Sequence, residues 1–237
     1  MPRLIPIIRR KIETTENPFW ISYADLMTAL VILFLVVMSI SIVAISTRPI
    51  VEKKERETDI QRIFDHLEQL AKAQELALKV NRTDHTIGFG DKARFGFDSF
   101  QLTLQAQEKL RAFVPLMLEV KSSVAGEKWL KRIHIEGYTD GTGTYLYNVD
   151  LSLKRAESVI CALFSGKLSK EREKQLQELL IIDGASVTSI KGSPEESRRV
   201  EVRLEFRQPR DDSQPIPLPQ MPLGHCAIAQ QTPSASE

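Results

Sequence analysis

The sequence predicts a single-pass membrane protein: one N-terminal transmembrane helix, a linker helix and a C-terminal α+β sandwich. Three features predict it. From Leu26 to Thr47 no residue carries a formal charge. Residues 50–80 repeat apolar side chains at helical spacing. From His85 onward, short alternating runs take turns with amphipathic ones, the pattern of strands and helices sharing one core. The implied divisions are 1–18 as an N-terminal tail, 19–47 as the span, 48–84 as the linker, 85–207 as the domain and 208–237 as a Pro-rich tail.

The span comes first. At about 1.5 Å per residue, the charge-free run is long enough to cross the ~30 Å hydrocarbon core of a bilayer. Trp20 marks the interfacial belt. Asp25 lies about 7–8 Å deeper along a helix. A charge deep in a membrane helix costs roughly 2.5–3.5 kcal/mol on insertion scales. Asp25 is therefore expected to face a partner helix or a wet path, where it can load and release a proton. The bland alternative is an acid that reaches back to the interface. Ser22, Tyr23, Thr28, Ser39 and Ser41 add polar groups, and Thr28 shares the face of Asp25. Their hydroxyls bond either across helices or to their own helix carbonyls.

Residues 1–18 carry Arg3, Arg9, Arg10 and Lys11 against Glu13 and Glu16. Ala44-Ile45-Ser46 resembles a small-x-small cleavage site. The apolar stretch, however, exceeds the roughly 7–15 residues of a signal peptide and begins beside an acid, so the reading is a signal anchor. Arg48, Lys53, Lys54 and Arg56 on the other flank tie the count, so charge does not settle orientation.

The remaining length allows one medium domain: the chain has 237 residues, a formal net charge of +1 and 42% hydrophobic content. That balance leaves no electrostatic footprint for nucleic acid. There is no nucleotide-binding glycine loop, HExxH helix or CxxC pair. His66, His85, His134 and His225 are scattered. No metal site and no enzymatic activity are expected.

In the linker, Ile60, Ile63, Phe64, Leu67, Leu70 and Ala71 form an amphipathic stripe. It suits either a parallel dimer coil or a helix packed on its own domain. Between Glu52 and Asp59, seven of eight residues are charged, which suggests a solvated segment. In the domain, His85–Phe89 and Ala93–Phe97 read as short strands around a turn at Gly90-Asp91. Leu104–Glu119 reads as a helix kinked or shortened by Pro115. Lys131–Glu136 is a strand, 137–143 a loop, Leu151–Phe164 a helix and Lys170–Ile182 another. Arg199–Phe206 alternates and is the last strand, with helices on one sheet face.

Two resemblances sharpen this reading. Trp20 followed by Ser22-Tyr23-Ala24-Asp25-Leu26-Met27-Thr28-Ala29-Leu30 resembles the transmembrane signature of the MotB family, the ion-conducting stator subunits of bacterial rotary motors. The resemblance implies that Asp25 carries the translocated ion. It also implies protons as the coupling ion, no cofactor, and a multi-span MotA-type ring around a homodimer of this chain. The run Met27–Met38 is more similar to the ZorB family of Zorya anti-phage defence than to flagellar MotB, implying a ZorA-like ring partner. In MotB-like stators the stretch equivalent to residues 50–60 acts as a plug, and that role is an expectation here.

Asn148-Val149-Asp150-Leu151-Ser152-Leu153-Lys154-Arg155-Ala156-Glu157-Ser158-Val159 is similar to the OmpA-like peptidoglycan-binding signature, N-x-x-L-S-x-x-R-A-x-x-V. Gly137-Tyr138-Thr139-Asp140 and Arg198-Arg199-Val200-Glu201-Val202 also match that family, although many members have His where Tyr138 stands. The resemblance implies that Asp140 and Arg155 hold the ammonium and carboxylate of diaminopimelate. The residue chemistry suits that task, since a guanidinium clamps a carboxylate bidentately. Asn148 can donate to and accept from peptide amides, and Tyr147 and Leu151 line the pocket. The alternatives are an Asp140 that caps a turn and an Arg155 paired on the surface with Glu157. A peptidoglycan-binding domain is periplasmic, which places residues 1–18 in the cytoplasm and the span in the inner membrane. In that oxidising compartment Cys161 and Cys226 suggest a disulfide; two free thiols are the alternative. The expected function is an ion-conducting, wall-anchored stator subunit of a proton-driven motor in anti-phage defence. A flagellar stator and a passive cell-wall tether are the alternatives.

Overall fold

The computed structural model describes residues 18–186, 189–209, 211 and 222–226. Almost all of the expected N-terminal tail and most of the C-terminal tail lie outside the described residues. The chain divides into two units, residues 1–52 and 53–237.

Residues 18–52 belong to helix α1 (Pro18–Ala73). It starts on a proline, whose missing N–H has no helical partner at that position anyway. Trp20–Val43 is a run of 24 residues with mean hydropathy 2.9, the one helix among the described residues long and apolar enough to cross a membrane. Its side chains are exposed throughout, as lipid solvation requires. Ser39 and Ser41 donate to the carbonyls of Leu35 and Val37, at 2.7 and 2.8 Å. Of the two alternatives for these hydroxyls, the own-helix bond is the one made.

The second unit begins inside the expected linker. Ile60, Ile63, Phe64, Leu67 and Ala71 of α1 are buried in the domain core. Phe64 meets Phe206 edge-on at 6.0 Å and stacks on His85 at 5.9 Å. Polar contacts clamp the same segment. Trp129 Nε1 donates to Asp59 at 2.9 Å, Arg56 Nε donates to the Arg207 carbonyl at 2.6 Å, and Lys128 pairs with Glu55 at 2.6 Å. Of the two alternatives for the stripe, packing on its own domain is the one made. Within the charged segment expected to be solvated, Arg56 and Asp59 are held by these contacts.

After α1 come β1 (Lys79–Asn81), β2 (Thr86–Gly88), a 3₁₀ turn at Gly90–Ala93, α2 (Leu104–Ser122) and α3 (Val124–Trp129). They are followed by β3 (Leu130–Tyr138), α4 (Tyr145–Phe164), α5 (Lys170–Leu179), β4 (Leu180–Ser186), α6 (Pro194–Ser197) and β5 (Val200–Phe206). The sheet order is β1-β2-β5-β3-β4, antiparallel except for the β3–β4 pair. Helix α4 packs on β3 and β4, and α2 packs on α4. Val200, Val202, Leu204 and Phe206 alternate with less buried charged residues along β5, so one sheet face meets the helices and the other is polar.

Three expectations are corrected. Ala93–Phe97 is not a strand. Its Phe95 N–H bonds the Arg198 carbonyl, while the Gly96 and Phe95 carbonyls accept from the arginines 155 and 198. Side-chain donors have taken the place of a neighbouring strand. The expected helix Lys170–Ile182 stops at Leu179, where Leu180 turns extended and starts a parallel strand beside β3. Pro115 does not shorten α2, because it sits on the exposed side, where water can serve the carbonyl that loses its donor.

Phe64→Ala is expected to destabilise the C-terminal unit by about 3–5 kcal/mol. Urea unfolding of the full-length protein measures this; a loss under about 1 kcal/mol would mean that α1 is not part of that core.

Candidate functional site

The site is built where β3 hands over to α4. A Cβ at Gly137 would lie 2.0 Å from the Ser152 carbonyl oxygen, so only glycine lets the helix lie this close to the strand. That approach brings the end of β3, the loop 139–144 and the first turns of α4 together. Gly143 has φ +97° and passes the Tyr147 ring, where a Cβ would come within 3.2 Å.

Asp140 accepts the Thr142 backbone N–H at 3.1 Å and Nη1 of Arg198 at 3.0 Å. Burial alone would raise its carboxyl. The Thr142 and Arg198 hydrogen bonds outweigh that and hold it below the usual carboxylate value. The turn-capping alternative is therefore real, and an ion pair is added to it. Arg198 also reaches Glu195 at 3.3 Å. It was legible in the sequence only as part of the closing signature, with no role attached.

Arg155 is 1% exposed and makes no surface pair with Glu157. It donates to the Tyr138 carbonyl at 2.7 Å, the Ser99 carbonyl at 2.9 Å and the Gly96 carbonyl at 3.2 Å. Its guanidinium lies over the Phe95 ring at 5.1 Å. Burial pulls its pKa down to about 10, against the opposing pull of Asp140, with Arg198 pushing further down and Asp98 up. These bonds use three of its five N–H donors, which leaves two for a carboxylate among the described residues. Asn148 is 2% exposed and spends both amide hydrogens on the Thr142 and Thr144 carbonyls, each at 3.0 Å. It cannot donate to a ligand as the sequence suggested. Its Oδ1 is buried without a partner among the described residues, and so is Thr139 Oγ1. Such an orphan acceptor suits an incoming N–H. Leu151 is 7% exposed and Tyr147 43% exposed, on the same side of α4 as Arg155.

Asp25 stands in the other unit. Its side chain is exposed, and its backbone carbonyl accepts the Thr28 hydroxyl at 2.8 Å. Thr28 is thus occupied by its own helix. Cys161 of α4 is joined to Cys226, with their Cα atoms 5.8 Å apart across 65 residues of sequence.

The Asp140 shift has a sign that can be tested. A carboxyl depressed in the folded state adds stability above its unfolded pKa, and loses it as pH falls through the folded one. Arg198→Met removes one of the depressing contacts, so acid unfolding followed by circular dichroism is expected at a higher pH than in wild type. An unmoved midpoint would show that the pair does not set the Asp140 carboxyl.

Comparison with known proteins places these features. Residues 94–199 match the OmpA family, and residues 8–50 match the family described as membrane MotB of the proton-channel complex MotA/MotB. A Zorya protein ZorB from Escherichia coli O139:H28 (strain E24377A / ETEC) is 40% identical over 225 residues, covering 89% of this chain and 91% of the relative. Among solved structures, a putative MotB-like protein from Desulfovibrio vulgaris aligns with TM-score 0.46 at 15% identity, over 66% of this chain and 99% of that one. The peptidoglycan-associated lipoprotein of Burkholderia pseudomallei aligns with TM-score 0.35 at 19% identity, over 53% and 92%. With identity at this level along nearly its whole length, the chain belongs to the ZorB family, MotB-like at its membrane helix and OmpA-like in its C-terminal domain.

Proposed function

We propose that this chain is the peptidoglycan-anchored, proton-carrying stator subunit of a rotary membrane motor serving anti-phage defence. The observation that carries the reading is a pairing on one chain: a lone acid, Asp25, in an otherwise uncharged span, and a hydrogen-bonded cluster where β3 meets α4 that gathers Asp140, Asn148 and Arg155.

In this reading Asp25 takes up a proton as the neutral acid and releases it as the carboxylate. One charge crossing 100 mV releases about 2.3 kcal/mol, which is the work available per step. A single helix cannot enclose a path, so Asp25 needs a multi-span MotA- or ZorA-like ring, with two copies of this chain inside it. The pocket keeps the subunit from turning with its partner. Arg155 offers two N–H donors to a diaminopimelate carboxylate, Asn148 Oδ1 accepts an N–H, and Asp140 attracts the ammonium. The Cys161–Cys226 bond favours an oxidising compartment for this unit, hence a periplasmic domain and a cytoplasmic N-terminus in the inner membrane. Kinship with ZorB favours defence over flagellar rotation.

Asp25→Asn, co-expressed with the ring partner, is expected to abolish phage protection and proton flux into vesicles while leaving peptidoglycan pull-down intact. Protection at wild-type level would sink the proton-carrier reading and leave a passive wall tether. Asp140→Asn is expected to reduce pull-down with purified sacculi at least tenfold, equivalent to about 1.4 kcal/mol.

A further inference from the structure

The polar face of the sheet is not flat. A groove of about 570 Å³ lies over β2, within the usual size range of ligand sites. Register explains its shape. Ile87 is buried in the core, so Thr86 and Gly88 turn to the opposite face. They lie between Lys79 and Asn81 of β1 on one side and Glu201 and Arg203 of β5 on the other. Longer side chains on both flanks and little along the middle make a trough. Gly88 is its barest point. A Cβ there would meet nothing closer than 3.8 Å, and its φ is not in the left-handed region. Neither packing nor backbone conformation asks for glycine, which costs roughly 0.5–1 kcal/mol inside a strand. What a bare strand offers is close approach for a second backbone.

The lining decides what class of molecule fits. Among the described residues it holds five basic and four acidic side chains, so a polyanion meets almost no net field. It is too polar for an acyl chain. The Tyr138 ring is covered by Arg199 at 4.1 Å, which leaves no open aromatic face for a base or a sugar. Donors and acceptors stand side by side instead, with Asn81 and Thr86 each able to serve as either. A peptide main chain, with its own alternating N–H and C=O groups, matches that lining. The two ends differ in charge. Asp84 stands at one end, and Arg199 and Lys191 at the other, where Arg199 grips the Ser189 carbonyl at 3.1 Å. From Asp84 to Gly90 the chain takes six steps, up to about 20 Å, which is the length of six extended residues.

We propose that this trough binds an extended segment of a partner protein, about six residues long, with an acidic end toward Arg199 and Lys191 and a basic end toward Asp84. Main-chain groups lie along Gly88 and Thr86, and the two end charges set the direction. The floor is preformed for such a guest. Arg199 pairs with Glu201 and Arg203 with Glu136, so the floor charges are already neutralised before anything binds. Helices α2 and α4 pack on the other face of the sheet. The trough is therefore separate from the cluster of Asp140, Asn148 and Arg155, and it does not depend on the peptidoglycan reading.

The test titrates full-length protein in detergent, by calorimetry, with two synthetic hexapeptides blocked at both termini. One is Lys-Ala-Ser-Ala-Ser-Glu; the other has lysine at both ends. Wild type is expected to bind the first at least about fivefold more tightly than the second. Gly88→Leu fills the trough without a clash and should weaken the first peptide at least about tenfold, with Tm and sacculus pull-down as in wild type. Lys191→Glu, at an exposed side chain, should erase the difference between the two peptides. No saturable binding up to about 5 mM, equal wild-type affinity for the two, or binding that survives Gly88→Leu overturns the proposal. So does loss of sacculus pull-down in Gly88→Leu, which would assign the trough to the cell wall. A change of oligomeric state in Gly88→Leu also overturns it, because the guest would then be a second copy of this chain.

Discussion

Burying the Arg155 guanidinium is the constraint around which the C-terminal unit is arranged. A cation taken out of water is tolerated only when its donors are served. Each hydrogen bond from a charged donor contributes roughly 1.5–3 kcal/mol, so three of them offset a desolvation of several kcal/mol. Meeting that demand fixes distant pieces of backbone together. The end of β3 supplies the Tyr138 carbonyl, and the loop after the 3₁₀ turn supplies those of Gly96 and Ser99. The loop is held against α4 because, among the described residues, it has no strand to pair with and an arginine to satisfy.

Tyr138 joins this site to the other side of the sheet. Its carbonyl faces Arg155, while its hydroxyl donates to Glu136 on the polar face. Burial, then the neighbouring Glu136 carboxylate, push its phenol well above the ordinary value. Arg199 lies over its ring at 4.1 Å and pairs with Glu201. Further along, His134 sits between Asp183 at 2.6 Å and Glu205 at 2.9 Å, and Arg203 bridges Glu136 and Asp183. Burial alone would raise the Glu205 carboxyl, but His134 and Lys131 hold it down. Signs alternate across β3, β4 and β5, so a face that no helix covers among the described residues is finished by ion pairs rather than by apolar packing.

The two units place their acids in opposite settings. Asp140 has an arginine and a backbone N–H within hydrogen-bond reach, so its charge is settled by its own chain. Asp25 lies in a span whose other side chains are uncharged.

The sequence by itself determined the span, β3, α4 and β5. Each of these lies between two media, and the boundary writes a period into the residues: no charges where lipid surrounds a helix, every second residue apolar in Val200–Phe206, every third or fourth in Tyr145–Phe164. Asp140, Asn148 and Arg155 stood out in it only through the resemblance to the OmpA-like signature, which implied their role. Tertiary structure alone decided the rest. The apolar stripe of Ile60, Ile63 and Phe64 fitted a dimer coil as well as a domain wall, and only the surface offered by Phe206 and His85 chose between them. Leu180-Ile181-Ile182 continued a helical pattern until β3 offered a parallel edge. Arg198 came to Asp140, and both hydrogens of Asn148 were spent, through contacts that leave no periodic trace. A hydrogen bond between residues far apart in the chain depends on where two backbones come to lie, and no window of sequence contains both.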